Sequence, residues 1–309
     1  MSHAVLFPGQ GSQFVGMGAD LFDAMPDLLG DAADEALGWS LRGVCLDGPE
    51  DTLTRTEHAQ PALYALAYAL WTALAARVGP PVAAAGHSLG EYTALAAAGS
   101  LEFGDGLRLV AARGRAMAAA ADATASGMAA LIGGDDDAAE ALAAARRAAG
   151  GQLWVANRNA PGQVVVAGGL DDLEWAGEHA RDHGIRRVVP LNVAGAFHSP
   201  LMAGAAGSLR AAVEVTVWRP TQFAVWANAT ARPHAGDIGE VLLAQLTSPV
   251  RFAETLQGMA ASGVGVFVHV GPGDVTAGLA RKSVEGTEAL VVSSLDDIGP
   301  VAERLGAVA

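Results

Sequence analysis

The stretch that decides the fold is Val82-Ala83-Ala84-Ala85-Gly86-His87-Ser88-Leu89-Gly90-Glu91-Tyr92-Thr93-Ala94-Leu95-Ala96-Ala97-Ala98. A short apolar run, Val82–Ala85, reads as a strand. Glu91–Ala98 suits a helix, since alanine and leucine favour one. Between them stands Gly86-x-Ser88-x-Gly90, the pattern of a nucleophile elbow. Its glycines permit a sharp strand-to-helix turn, and the serine then projects beside helix N–H groups able to stabilise an oxyanion. An ordinary βα turn would fit the same five residues.

Outward from the elbow, Ala4–Pro8 reads as a buried strand entering the glycine loop Gly9-Gln10-Gly11-Ser12-Gln13. Residues 58–77 read as a helix apolar nearly all round, broken by Pro80-Pro81. Residues 105–121 form another, with Leu107, Val110, Ala111, Gly114 and Met117 on one face. From about residue 127 the pattern changes to strand (128–132), helix (138–149), strand (153–157), strand (163–167), helix (171–183) and strand (187–192). That order is the split βαβ of a ferredoxin-like unit. It sits as an insert, residues 126–194, within a larger α/β domain made of residues 1–125 and 195–309. Val266–Val270 is the predicted central strand of the later part and ends at Gly271-Pro272-Gly273.

Composition narrows the function classes. The chain has 309 residues, is 51% hydrophobic and 17% charged, and carries a net charge of −14. This excludes a disordered protein and predicts a large core. A broad nucleic-acid surface or a polybasic membrane patch would need a basic face, which the balance argues against. Lys282 is the only lysine and Cys45 the only cysteine, so there is no internal disulfide and no cysteine-based zinc site. The longest apolar stretch, Pro61–Ala76, falls short of the ~20 residues of a membrane span. With no basic n-region at the N-terminus, the expected location is cytoplasmic.

A nucleophilic serine needs a base. His87 adjoins Ser88, but neighbouring side chains diverge at a sharp turn. His198, in Gly195-Ala196-Phe197-His198-Ser199-Pro200, follows an apolar strand on a loop that could face the elbow. His269 reads as a core residue, and His179 and His183 lie on a solvated helix. The Gly9–Gln13 loop fails both phosphate-binding templates, having Phe14 where the third glycine is needed and no Gly-Lys-Ser/Thr. It reads instead as a loop that brings backbone N–H groups near a reacting oxygen, or as a plain turn. Asp135-Asp136-Asp137 reads as a helix start rather than a metal site. Arg113 and Arg115 both flank the apolar stripe of the 105–121 helix. Either could snorkel or could point into a cleft to read a carboxylate, and spacing does not choose between them.

Taken together, several motifs resemble the malonyl-CoA:acyl carrier protein transacylases. They are Phe7-Pro8-Gly9-Gln10-Gly11-Ser12-Gln13, Gln60-Pro61-Ala62, Gly86-His87-Ser88-Leu89-Gly90-Glu91, Arg113-Gly114, Asn159-x-Pro161-Gly162-Gln163-Val164, Gly195–Met202 and Val270-Gly271-Pro272-Gly273. They occur in family order from residue 4 to about 282. The resemblance implies an α/β-hydrolase-like large domain with the ferredoxin-like insert. It makes Ser88 the nucleophile, His198 the base, and the backbone N–H groups of Gln10 and Leu89 the oxyanion hole. It selects Arg113 as the carboxylate clamp and Phe197 as a wall of the acyl pocket, a bulky residue there going with malonyl and a serine with methylmalonyl. Through Gln245-Leu246-x-x-Pro249-Val250 it assigns the histidine-orienting carbonyl to Gln245. One departure is Asp274, where the family often has lysine.

The activity so implied is transfer of malonyl from coenzyme A, through a serine ester, to the phosphopantetheine thiol of an acyl carrier protein in fatty-acid or polyketide synthesis. No metal or cofactor is expected beyond the thioester substrate, nor any nucleic-acid or membrane partner. Because carrier proteins of the family are acidic, Arg281 and Lys282 are the candidate docking residues, with Arg181, Arg186 and Arg187 on the insert. A serine hydrolase, the transferase subunit of a malonate decarboxylase and a non-catalytic docking module are the rivals.

Overall fold

The computed structural model describes residues 2–306. Two sheets organise it. The larger has the order β10-β9-β1-β2-β7-β8, with β1 His3–Phe7, β2 Ala83–Gly86, β7 Ala224–Ala227, β8 Arg232–Pro233, β9 Val266–Val270 and β10 Glu288–Val292. All neighbours are parallel except β7 and β8. β1, β2 and β9 are buried along their whole length, as parallel strands covered on both faces must be. One face packs under the apolar helix Thr56–Ala75 and its neighbour Phe103–Asp122. Phe252, Leu256 and Met259, on the helix Phe252–Ala261, lie in the core of the other.

The smaller sheet has the order β4-β5-β3-β6, built from β3 Ser126–Ile132, β4 Leu153–Ala160, β5 Gln163–Gly169 and β6 Arg187–Pro190, all antiparallel. With the helices Asp136–Ala148 and Leu170–His179 this is the ferredoxin-like arrangement. Side chains alternate in partnership along its strands. Val164 and Val166 enter the core beneath those helices, whereas Val165 and Ala167 join the core of the large unit. The pleat therefore turns one face of the insert toward the large sheet.

Most expected elements lie within a few residues of their predicted positions. The last strand of the insert stops at Pro190 rather than 192, and the helix expected over 171–183 ends as an α-helix at His179 and tightens to a 3₁₀ turn over Ala180–His183. The insert is stitched to the large unit by backbone: Arg158 N–H donates to Val250 O at 2.8 Å, and Val250 N–H to Ala156 O at 2.8 Å. No helix among the described residues is long and apolar enough to cross a membrane.

Candidate active site

The carboxyl ends of β1 and β2 open into the site, where open α/β sheets place their ligands. β2 ends at Gly86, and the chain reverses through Ser88 into the helix Gly90–Ala97. Both glycines of the elbow are dictated by packing. A Cβ on Gly86 would overlap the Gly90 backbone, and one on Gly90 would strike the carbonyls of Phe7 and Pro8. Ser88 itself lies at φ 51°, a left-handed conformation uncommon for a residue with a side chain. Asn228 pins it: its Oδ1 accepts the Ser88 N–H at 2.7 Å and its Nδ2 donates to Gly86 O at 2.8 Å.

The Ser88 hydroxyl is 2.7 Å from His198 Nε2, and His198 Nδ1 is 3.0 Å from the main-chain oxygen of Gln245. A carbonyl only accepts, so Nδ1 carries the proton and Nε2 is free to take one from the serine. His198 also sits at positive φ, 58°, on the turn that follows the insert. That turn is anchored by Ser126 Oγ on Ala196 N and by Ser199 Oγ on Ala196 O. Burial, then the Arg113 charge, push His198 down to about 3, which keeps it neutral and proton-accepting at physiological pH.

The spacing ambiguity between the two arginines is resolved by burial. Arg115 is exposed, whereas Arg113 is 1% exposed and points into the cleft. Arg113 donates from Nη1 to Gln60 Oε1 at 2.7 Å, and from Nη2 to Gln245 Oε1 and to Ser88 Oγ, each at 2.9 Å. Its guanidinium carbon lies 5.3 Å from the centre of the Tyr92 ring. Burial lowers its proton affinity, while Tyr92 and Glu91 raise it. None of its hydrogen-bond partners among the described residues is an acid.

Ser88, His198 and Arg113 share a cleft of roughly 280 Å³ with Gln10, Leu89 and Phe197. The backbone N–H groups of Gln10 and Leu89 donate to no acceptor among the described residues, and Leu89 stands at the start of the Gly90–Ala97 helix, where the helix dipole is positive. Phe197, 6% exposed, walls the cleft beside the histidine. From the insert come Met128, Asn157, Asn159, Gln163 and Val165 on its strands and Leu191, Asn192 and Val193 just beyond the last strand.

His87 turns away from Ser88, its Nε2 lying 2.7 Å from Asn159 Oδ1 of the insert. His269 is fully buried, with Nδ1 2.6 Å from Thr276 Oγ1 and Nε2 3.0 Å from Gly271 O, and so fixes the Gly-Pro-Gly turn. Asp135 caps its helix by accepting from Ala138 N–H at 2.8 Å. Arg281 and Lys282 are exposed on the helix Val275–Ser283. Arg281 donates to Ala289 O at 2.7 Å, while Lys282 Nζ is 3.3 Å from the Oε1 of Gln163 on the cleft wall. Arg181, Arg186 and Arg187 are exposed on the insert.

The model of the acyl transferase domain matches residues 5–296. The malonyl CoA-acyl carrier protein transacylase of Bacillus subtilis (strain 168) is 39% identical over 299 residues, covering 96% of this chain and 94% of its own. The chain belongs to the malonyl-CoA:acyl carrier protein transacylase family. An acyl carrier protein S-malonyltransferase from Vibrio cholerae superposes with a TM-score of 0.91 at 36% identity, covering 97% of this chain and 100% of that one. A malonyl-transacylase solved in complex with its type II PKS acyl-carrier protein superposes at 0.92, with 35% identity and coverage of 98% and 100%.

Within this transacylase frame, Asp274 is exposed and borders a groove beside Phe14, while the next residue, Val275, lines the Ser88 cleft. Sequence reasoning missed Asn228 altogether, and saw Gln60, Glu91 and Asn159 only as letters within motifs. Glu91 did leave one signal: it is the sole charged residue of the Gly90–Ala97 helix.

Proposed function

We propose that this protein moves a malonyl group from coenzyme A to the phosphopantetheine thiol of an acyl carrier protein, through an ester on Ser88, in fatty-acid or polyketide synthesis. The observation that carries the reading is the buried Arg113 guanidinium, 2.9 Å from the Ser88 hydroxyl and paired only with neutral groups among the described residues. A buried cation without an acidic partner is costly, and an acyl chain ending in a carboxylate supplies that partner next to the nucleophile.

In this reading His198 Nε2 takes the Ser88 proton as Oγ attacks the thioester carbonyl. The N–H groups of Gln10 and Leu89 receive the oxyanion of the tetrahedral intermediate. The C–S bond breaks, and the coenzyme A sulfur leaves with the proton from His198. The carrier's thiol then gives its proton to His198 and attacks the serine ester carbonyl. This second tetrahedral intermediate expels Ser88 Oγ, which takes the proton back from His198, leaving malonyl on the carrier sulfur. Gln245 O holds the imidazole in the tautomer both steps need. Proton and acyl transfers are all the scheme requires, so it calls for no metal or redox cofactor. We place the reaction in the cytoplasm, in keeping with a single, buried, unpaired cysteine.

The test is intact mass spectrometry after mixing with malonyl-, methylmalonyl- or acetyl-CoA, followed by addition of a carrier protein. The wild type should gain one malonyl group and pass it on. Ser88→Ala should gain none, and His198→Ala should acylate ~10²–10⁴-fold more slowly. A malonyl adduct on Ser88→Ala at the wild-type rate would remove the serine from the mechanism. Release as free malonate in place of transfer would make the protein a hydrolase.

A further inference from the structure

Glu91 is fully buried in a helix that is otherwise uncharged. A carboxylate in such a place must be hydrogen-bonded to be tolerated, and its partners here are the parts of the site. Its Oε2 accepts from the Asn228 N–H at 2.9 Å and from Gln245 Nε2 at 2.7 Å, and its Oε1 is 2.7 Å from His234 Nε2. Asn228 and Gln245 between them hold both backbone groups of Ser88. The Asn228 Oδ1 takes its N–H, and Gln245 Nε2 also donates to its carbonyl at 3.0 Å. A non-glycine residue at φ 51° persists only where its surroundings over-determine it, and these two side chains do so.

Gln245 has further duties. Its Oε1 accepts from Arg113, and its main-chain oxygen meets His198 Nδ1. Glu91 thus reaches nucleophile, base and guanidinium through two intermediaries while touching none of their side chains. The spacing from Arg113 is chemically pointed. A direct carboxylate–guanidinium pair would be strong and would occupy the nitrogens an incoming acid needs. With the Gln245 amide interposed, oxygen toward the cation and nitrogen toward the anion, the negative charge still supports the buried cation, and Arg113 stays open to a substrate carboxylate.

We propose that Glu91 is the positioning residue of this site and the withheld counter-charge of Arg113, acting through Asn228 and Gln245. The counter-charge half rests on the reading of Arg113 as the malonyl clamp; the positioning half does not.

Two variants separate the halves. Glu91→Gln preserves shape. Its oxygen can accept from Asn228 and Gln245, and its NH₂ can donate to His234 Nε2 once the ring proton moves to Nδ1, an atom with no partner in the wild type. Only the charge is lost, so the guanidinium should attract acids more strongly. The half-saturating malonyl-CoA concentration for Ser88 acylation should fall roughly three- to tenfold, as expected for removing one charge several ångströms away at intermediate dielectric. Inhibition by acetyl-CoA should not move, and the shift should vanish in the Glu91→Gln, Arg113→Ala double variant. Glu91→Ala instead takes the acceptor from all three groups that meet the carboxylate, Asn228 N–H, Gln245 Nε2 and His234 Nε2, and acylation at saturation should fall by about a hundredfold or more. An unchanged or raised malonyl-CoA half-saturation in Glu91→Gln, or an equal shift for acetyl-CoA, overturns the counter-charge. Wild-type acylation by Glu91→Ala overturns the positioning role. If wild-type protein is never malonylated, it is the proposed function that fails.

Discussion

The two walls of the cleft enclose one space with different material. The large unit supplies Ser88, His198 and Arg113, with backbone held at positive φ at the first two and a buried cation at the third. The insert supplies Met128, Asn157, Asn159, Gln163 and Val165 from its antiparallel strands and Leu191, Asn192 and Val193 from the segment beyond the last of them, all uncharged. Ser88 sits where a parallel strand ends and the chain must reverse, because there a side chain can leave the sheet and meet helix N–H groups, while His198 reaches it from the turn after the insert and Arg113 from the helix Phe103–Asp122. A pleated face offers only a row of side chains at fixed spacing, which is well suited to shaping a pocket.

The strongest attempt to break this division is Arg113→Ala. If the chemical wall owns acid recognition, the variant should lose malonyl transfer by at least two orders of magnitude, as truncating one partner of a buried charge pair does. It should keep or gain acetyl transfer. Arg115→Ala, on the exposed face of the same helix, should match the wild type. Equal loss of malonyl and acetyl transfer would make Arg113 a structural residue.

Acid offers a second separation. His87, His198 and His269 all belong to the large unit, and burial holds all three below the usual value of 6.5, His198 at about 3 and His269 at about 4. In the unfolded chain they would titrate near 6.5, so below that pH the unfolded state binds more protons than the native one. Stability should therefore fall as pH drops from about 6.5 toward 4, and be fully present above it. Chemical denaturation monitored across this range should show the loss. A His269→Phe variant that keeps the wild-type fold should show a shallower slope.

Smaller still is the effect of Phe197→Ser, which enlarges the pocket without touching Arg113. The methylmalonyl-to-malonyl ratio should rise, within the ~1–3 kcal/mol that one methyl group commands. Competition between the two thioesters measures it, and an unchanged ratio would move side-chain selection to the insert wall. The least change is expected from Arg281→Glu with Lys282→Glu. It should raise the KM for the carrier protein a few-fold relative to that for malonyl-CoA, with an effect that fades as salt screens exposed charge. An unaltered carrier KM at low salt would remove these two residues from docking.

What was legible in the sequence was local. The elbow announces itself because its glycines and serine act within five residues. The insert is readable because its strands and helices keep their own periods. Arg113 and Arg115 were indistinguishable because both lie at the edge of one apolar stripe, and only the packing of Phe103–Asp122 against Thr56–Ala75 buries one of them. Asn228 and His234 left no trace, since they reach Glu91 across 137 and 143 residues of chain. Between Gly18 and Arg55 the chain forms five helices of four to seven residues, too short for a 3.6-residue period to show.

The seam between the two units bears on how the protein could be rebuilt. Val250, hydrogen-bonded to Ala156 and Arg158 of the insert, lies five residues beyond Gln245, whose carbonyl aims His198. Asn159 holds His87, the immediate neighbour of Ser88. The insert looks like a cassette in the chain, entered and left at two points, yet it grips the loops behind both His198 and Ser88. Grafting an insert from a relative would therefore transplant a lever as well as a pocket wall. Chimaeras that carry over both sides of the seam, residues 87 with 159 and 245–250 with 156–158, should keep their alignment. Those cut at the chain crossings alone would import a new pocket and misaim the histidine.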